Sequence, residues 1–104
     1  MNNNENKVLT EAVFYTLLAL YSPLHGYGIM QETERMSQGR LKLAAGTLYG
    51  AISTMLEKEW IKALPSEEES RRKEYQITEL GKTVVKAELA RLEELVGNGK
   101  LIIK

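Results

Sequence analysis

Residues 41–81 constrain the fold of this 104-residue chain more than any other part of the sequence. They begin with helical periodicity, continue with two short β-prone runs at 60–64 and 73–77, and end with a capped helix start at Thr78. The charged loop between the two runs carries Arg71, Arg72 and Lys73. A helix, a basic hairpin and a second helix can place one helix in a DNA major groove and a loop on the flanking backbone.

The composition predicts a single small domain. With 43% hydrophobic and 27% charged residues, the chain can form only a modest core, so oligomerisation would add stability. The sequence has no cysteine, which excludes disulfides and thiolate metal sites and agrees with a reducing, cytoplasmic location.

The sequence offers no candidate for membrane insertion or export. Its longest apolar run, residues 12–21, is about half of what a bilayer crossing requires, so we expect a buried helix there. Residues 1–7 have no apolar core and resemble neither a signal peptide nor a transit peptide. We expect them to form a disordered arm.

Two helices are predicted before residue 41. The first follows an N-cap at Thr10, runs to about Tyr21 and is apolar on nearly every face, so part of it needs a cover such as a second subunit. The second runs from about Gly26 to Met36 and ends before Gly39. Its predicted buried side consists of Tyr27, Ile29, Met30, Thr33 and Met36.

The third predicted helix has two different faces. Its apolar residues recur at helical spacing and are Leu48, Ile52, Met55 and Leu56. The opposite face is short and polar, which suits a groove about 12 Å wide. The candidate DNA-contacting residues there are Thr47, Tyr49, Gly50, Ser53 and Thr54. The alternative is an ordinary solvent-exposed helix face.

The charge pattern gives mixed support for DNA binding. The 14 basic and 14 acidic residues cancel, whereas nucleic-acid binders are often basic. The candidate phosphate contacts are Lys42, before the third helix, and Arg71, Arg72 and Lys73 in the charged loop of the predicted hairpin, which we call the wing. Glu67, Glu68 and Glu69 would weaken that attraction. The alternative for the basic loop is a solvated hairpin tip.

The last predicted helix spans residues 79–97 and is followed by a tail, 98–104, whose place the sequence does not fix. An a/d-like stripe on this helix suggests a dimer interface formed by Val85, Leu89, Leu92 and Val96, together with Phe14 of the first helix. Leu80 and Val84 are expected to face the core. The remaining unit, residues 8–78, is expected to form one domain that holds the first three helices and the hairpin.

No catalytic, metal or cofactor site is predicted. The single histidine, His25, has no neighbouring nucleophile or carboxylate that would make a triad or a metal site, so we expect a structural role. The sequence also lacks a Gly-rich phosphate loop and metal-ligand spacing.

A set of short motifs, in order and at matching spacing, resembles the short subfamily of PadR winged-helix transcriptional regulators. The motifs are Leu17-Leu18-Ala19-Leu20, His25-Gly26-Tyr27-Gly28-Ile29, Gly46-Thr47-Leu48-Tyr49, Met55-Leu56-Glu57, Trp60-Ile61, Arg71-Arg72-Lys73 and Tyr75-Gln76-Ile77-Thr78-Glu79-Leu80-Gly81. They span roughly two-thirds of the chain. Trp60 departs from the family, which usually has Gly there, and this puts the link to the wing in question.

The resemblance implies a mainly α fold with a small β-hairpin: a winged helix-turn-helix plus a C-terminal dimerisation helix. It implies a homodimeric repressor that binds a roughly palindromic operator and controls its own or adjacent genes. It also implies a small hydrophobic or aromatic effector near the dimer interface, for which Phe14, Tyr15, Leu89 and Leu92 are candidates. The alternative function is a winged-helix module that binds another protein, and a gel shift with upstream DNA would distinguish the two.

Overall fold

The computed structural model of the chain describes residues 8–65 and 73–103. The helices are α1 (Glu11–Ala19), α2 (Gly26–Met36), α3 (Ala45–Glu57) and α4 (Glu79–Ile102), and the strands are β1 (Leu24–His25), β2 (Ile61–Ala63) and β3 (Glu74–Ile77). The strands form an antiparallel sheet in the order β1-β3-β2. The predicted mainly α fold with a β-hairpin is therefore confirmed, whereas strand β1 was not predicted.

Three of the four helices begin at side-chain caps. The Thr10 hydroxyl accepts a hydrogen bond from the Val13 N–H, and the Thr78 hydroxyl accepts one from Gly81. His25 caps α2, since its Nδ1 accepts from the Gly28 N–H at 3.3 Å. The predicted structural role of His25 is thus a helix cap. Helix α3 starts at Ala44 without a side-chain cap.

The core lies where the helices meet the sheet. Its most buried large side chains are Leu17, Leu20, Ile29, Leu48 and Met55. The Ile77 N–H donates to the Leu20 carbonyl at 2.8 Å, which fastens β3 to the end of α1. Burial of these apolar side chains supplies the main stabilisation of the domain.

Two residues predicted to be buried face outward. Tyr27 is 62% exposed because it lies on the first turn of α2, about 200° around the helix from the buried Ile29. Leu80 is 48% exposed, since the neighbouring Gly81 occupies the inward position on the first turn of α4. The predictions for Tyr27 and Leu80 are therefore wrong.

The link from α3 to β2 uses Glu59, not Trp60, as its left-handed residue. Glu59 has φ +63°, its N–H donates to the Leu56 carbonyl, and the Trp60 N–H donates to the Met55 carbonyl at 2.9 Å. This bonding pattern is that of a Schellman helix end. The half-buried Trp60 side chain packs against the core, so Trp60 is compatible with the wing geometry.

Glu59→Gly is expected to stabilise the protein by about 0.5–1 kcal/mol, because glycine adopts positive φ without the strain that a Cβ introduces. Thermal unfolding followed by circular dichroism measures the gain. The matched control is Glu57→Gly at the last residue of α3, where the backbone is still helical, which should destabilise by up to about 1 kcal/mol. Equal effects of the two changes would contradict this assignment.

Helix α4 is longer than predicted. It continues through Gly97, Asn98 and Gly99 to Ile102, past the predicted end at residue 97. From residue 93 to residue 103, every residue is exposed except the half-buried Gly99. At 1.5 Å per residue the 24-residue helix is about 36 Å long, and its last part projects from the domain.

Candidate nucleic-acid interface

Helix α3 has the two-faced character that its sequence predicted. Leu48, Ile52 and Met55 are 0–2% exposed and hold the helix on the core. The other face is open: the exposed residues include all of Thr47, Tyr49, Gly50, Ser53 and Thr54. The structure therefore leaves all five predicted recognition residues accessible, with Gly50, Ser53 and Thr54 on the outer face and Thr47 and Tyr49 on its two flanks.

The centre of this face has free space around it. A Cβ added at Gly46 or at Gly50 would meet no atom within 4 Å. The Thr54 hydroxyl donates to the Gly50 carbonyl at 3.3 Å, so one side chain of this face is bonded back to its own helix. Because Gly50 has no side chain, another molecule can approach the α3 backbone closely at this point.

Tyr49 links α3 to the start of α2. Its hydroxyl oxygen lies 2.2 Å from the position that a Cβ at Gly26 would take, so the ring rests directly on that glycine. The side chain is still 49% exposed. Burial, together with the nearby Tyr49, raises the pKa of Tyr75 on β3. Tyr49 thus braces the helix pair and leaves part of its ring accessible.

Tyr27, at the start of α2, is an exposed aromatic residue that sequence reasoning missed. It directly follows Gly26, on which the Tyr49 ring rests. A helical wheel of α2 would have separated it from Ile29 and Thr33, which are fully buried.

The charged residues divide into two groups. Among the described residues, the ion pairs are Arg35–Glu32, Arg40–Glu11, Lys82–Glu79 and Arg91–Glu88, and none of them involves α3 or the hairpin. The exposed lysines near α3 and the strands, which have no ion-pair partner among those residues, are Lys42, Lys58, Lys62 and Lys73. Exposed carboxylates without an ion-pair partner among the described residues lie on the same elements, at Glu57, Glu59 and Glu74, so the surface beside α3 carries charges of both signs.

Arg40 serves a different purpose from Lys42. Its guanidinium pairs with Glu11 at the start of α1, and hydrogen bonding to Arg40 lowers the pKa of that carboxyl. This pair ties the connection between α2 and α3 to α1. The wing residues Arg71 and Arg72 lie outside the described residues, as do Glu67, Glu68 and Glu69.

Comparison with known proteins agrees with this geometry. The profile of the transcriptional regulator PadR-like family matches residues 15–87. The chain belongs to the PadR-like family. It is a DNA-binding transcriptional regulator of the winged-helix type, and members of this family are regulators rather than enzymes. A comparison with curated proteins gives no match.

Solved structures share the PadR-like fold over most of the chain. A transcriptional regulator from Clostridium thermocellum is 22% identical, with 90% of each chain covered and a TM-score of 0.75. A PadR family regulator from Eggerthella lenta is 24% identical over 88% of this chain and 81% of its own, with a TM-score of 0.72. A PadR family regulator from Clostridium difficile is 22% identical over 90% of this chain and 98% of its own, with a TM-score of 0.71.

The predicted dimer residues of this PadR-like protein differ in their accessibility. Leu89 and Val96 are 47% and 54% exposed, and Leu92 and Phe14 are half-buried. Val85 is only 4% exposed because it packs in the core of its own chain. The prediction of Val85 as an interface residue is therefore corrected: it offers almost no surface to a partner.

The four effector candidates lie on two helices that pack together. Phe14 and Tyr15 are neighbours on α1, with ring centroids 6.4 Å apart, and Leu89 and Leu92 lie on α4. Within the two described ranges, no group of three or more His, Cys, Asp or Glu residues is placed to hold a metal ion. No helix in those ranges has the length and hydropathy needed to span a bilayer.

Proposed function

We propose that the protein is a cytoplasmic homodimeric repressor that binds a roughly palindromic operator and controls its own or adjacent genes. The observation that carries the proposal is the open, polar face of α3, whose opposite side is buried in the core, with the exposed Lys42 just before the helix. Helix α3 enters the major groove, and the wing with Arg71, Arg72 and Lys73 touches the neighbouring minor groove or backbone.

Recognition in this proposal depends partly on DNA shape. Thr47, Ser53 and Thr54 offer hydroxyl groups, which bond to bases or phosphates, and the open surface at Gly50 permits close approach. None of these residues is a bidentate base reader such as arginine or asparagine. We expect the remaining specificity to come from groove shape and from the symmetry of two half-sites. Tyr27 and Tyr49 are further candidates for contact with the backbone.

The dimer in this proposal forms through α4. Val85 packs in the core of its own chain. The same face of α4 continues with Leu92, Val96 and Gly99 and reaches the C-cap Ile103. Counted from Val85, consecutive members of this set are seven, four, three and four residues apart. Leu101, Ile102 and Ile103 are 70–81% exposed in the single chain. Apolar surface of this kind on a projecting helix favours association with a second copy.

The proposed repressor responds to a small effector that binds between α1 and α4. Phe14 and Tyr15 lie on α1 and Leu89 and Leu92 on α4, and these two helices contact each other. A small hydrophobic or aromatic compound bound there would relieve repression by changing the relative placement of the two recognition helices.

Selection of bound sequences from random DNA, followed by footprinting of the DNA upstream of the coding region, tests the proposed function. We expect an enriched sequence with two-fold symmetry and half-sites about one helical turn apart. Failure to enrich any sequence, with no salt-sensitive shift of the upstream DNA, would refute it and favour the protein-binding module.

Removing positive charge at the interface should change the salt dependence of DNA binding. We expect Lys42→Gln, and the pair Arg71→Glu and Arg72→Glu, to flatten the slope of log affinity against log salt by about 1 per lost phosphate contact. Titrations at several salt concentrations measure the slope. Lys86→Gln on α4, also exposed, is the control and should leave the slope unchanged.

Gly50→Leu separates DNA contact from folding. The space around Gly50 is open, and leucine is a better helix former than glycine, so thermal stability should not fall. The larger side chain should hold α3 away from the groove and weaken binding to the selected operator by about tenfold or more. Unchanged affinity would mean that Gly50 does not face the DNA.

A further inference from the structure

Glu88 is the only charged side chain that is buried among the described residues, with 4% exposure. Its Oε2 accepts a hydrogen bond from the Leu9 N–H at 3.2 Å. Its two oxygens also accept from Arg91 Nε at 2.8 Å and Arg91 Nη2 at 2.6 Å. A buried carboxylate is costly unless it is paired, so its placement calls for a physical role.

The carboxylate of Glu88 lies at the N-terminal end of α1. Leu9 directly precedes the N-cap Thr10, and the start of a helix carries partial positive charge that attracts a carboxylate. The hydrogen bonds from Arg91 lower the pKa of Glu88, which keeps it ionised at neutral pH. Glu88 therefore joins the middle of α4 to the start of α1 across 79 residues of sequence.

Helix α4 is attached to its own domain at two points on either side of the buried Val85, which packs in the core. At its base, the Thr78 hydroxyl lies 2.7 Å from the Glu59 carbonyl oxygen, and Gly81 packs against the Trp60 carbonyl. The second point is Glu88, about 15 Å further along the helix. Beyond Glu88, no residue up to 103 is buried in its own chain.

We propose that Glu88 is a positioning residue that fixes the angle at which α4 leaves the domain and thereby sets the spacing of the two half-sites that the dimer accepts. The inference rests on the proposed dimeric, DNA-binding function. Its structural basis is the bond between the Glu88 carboxylate and the Leu9 N–H.

The length of α4 makes this angle important. From Glu88 to Ile102 the helix rises about 21 Å, so a tilt of about 5° at Glu88 moves its far end by about 2 Å. The base pairs of DNA are about 3.4 Å apart, so a tilt of this size in both subunits is comparable to a spacing change of one base pair.

A distance measurement in the absence of DNA tests the inference directly. Because the chain has no cysteine, Glu57→Cys on α3 gives one spin label per subunit, and pulsed electron paramagnetic resonance reports the distance between the two labels. We expect Glu88→Leu to shift or broaden this distance by about 2 Å or more. Glu88→Gln, which keeps an acceptor oxygen, should stay near the parent distribution, as should the control Glu94→Gln at an exposed site.

A second pair of variants tests the same bond from α1 and serves if Glu88→Leu does not fold. Leu9→Pro removes the N–H donor, whereas Leu9→Ala removes the side chain that packs against the core but keeps the donor. We expect Leu9→Pro, but not Leu9→Ala, to shift or broaden the distance between the two spin labels.

The DNA readout uses the sequence selected by the parent protein, with one base pair inserted or deleted between its half-sites. We expect the preference for the original spacing to fall by about fivefold in Glu88→Leu and Leu9→Pro. A purely structural role would weaken binding to all spacings equally.

The possible failures are distinguishable. Unchanged distances in folded, dimeric Glu88→Leu and Leu9→Pro would overturn the role of Glu88. A shifted distance in a protein that selects no DNA sequence would support the role of Glu88 in dimer geometry and refute the proposed function instead. Light scattering that shows a monomeric parent protein would overturn both.

Discussion

Replacing Leu89 and Val96 by glutamate is expected to convert the protein to a monomer and to weaken operator binding by at least about 100-fold. Both side chains are about half-exposed on α4, so the charges should be tolerated by the single chain. In a dimer they would face like charges within an apolar interface. Loss of the dimer removes the gain from binding two half-sites through one molecule. Light scattering and DNA titration measure the two effects.

The matched control introduces the same charges on the outward side of α4. Lys86→Glu and Ala90→Glu lie four residues apart at exposed positions and should leave the dimer intact. A Leu89→Glu and Val96→Glu variant that remains a dimer would place the interface elsewhere. A parent protein that is a stable monomer at micromolar concentration would refute the dimer itself.

Gly81→Ala should produce the largest loss of stability, about 3 kcal/mol, with a fall in melting temperature of about 12 °C or more. An added Cβ would lie 2.2 Å from the Trp60 carbonyl oxygen and 2.7 Å from Ile77 Cγ1. The nearest atom belongs to the backbone, so no side-chain rotation can relieve the clash. Thermal and denaturant unfolding followed by circular dichroism measure the loss.

Gly97→Ala is the matched control on the same helix. A Cβ at Gly97 meets no atom within 4 Å, and alanine is favoured over glycine within a helix by about 1 kcal/mol. We therefore expect a gain in stability of about this size. A similar loss in both variants would show that the effect of Gly81→Ala does not come from the contact with Trp60.

The helices and their starts could be predicted because the signals are local. Thr10 and Thr78 cap helices at the predicted positions, and the apolar spacing of Leu48, Ile52 and Met55 gave the buried face of α3. Strand β1 was missed because two residues carry no periodicity. It forms only by pairing Leu24 and His25 with β3, about 50 residues away.

The C-terminal helix shows where local signals fail. Gly97 and Gly99 favoured a helix end, but each costs only about 1 kcal/mol inside a helix and α4 continues through both. In the sequence, the apolar stripe from Val85 to Val96 predicts one continuous surface. In the structure Val85 belongs to the core and Leu89 is exposed, because the domain ends between them.

Contacts between distant residues could not be derived from the sequence at all. Nothing near Glu88 or Leu9 indicates that they are bonded, and Arg40 gave no sign that it pairs with Glu11 on α1. Both pairs depend on how the helices pack. The sequence predicted the two faces of α3, whereas the connections that orient the helices became evident only from the fold.

The two faces of α3 have separate energetic roles. Leu48, Ile52 and Met55 carry the packing, while Thr47, Gly50 and Ser53 have exposed positions that contribute little to it. Substitutions on the outer face therefore change what the helix can bind at almost no cost to folding. If α3 is the recognition helix, as proposed, such a scaffold can acquire a new operator in evolution, or be retargeted in the laboratory, without a compensating change in its core.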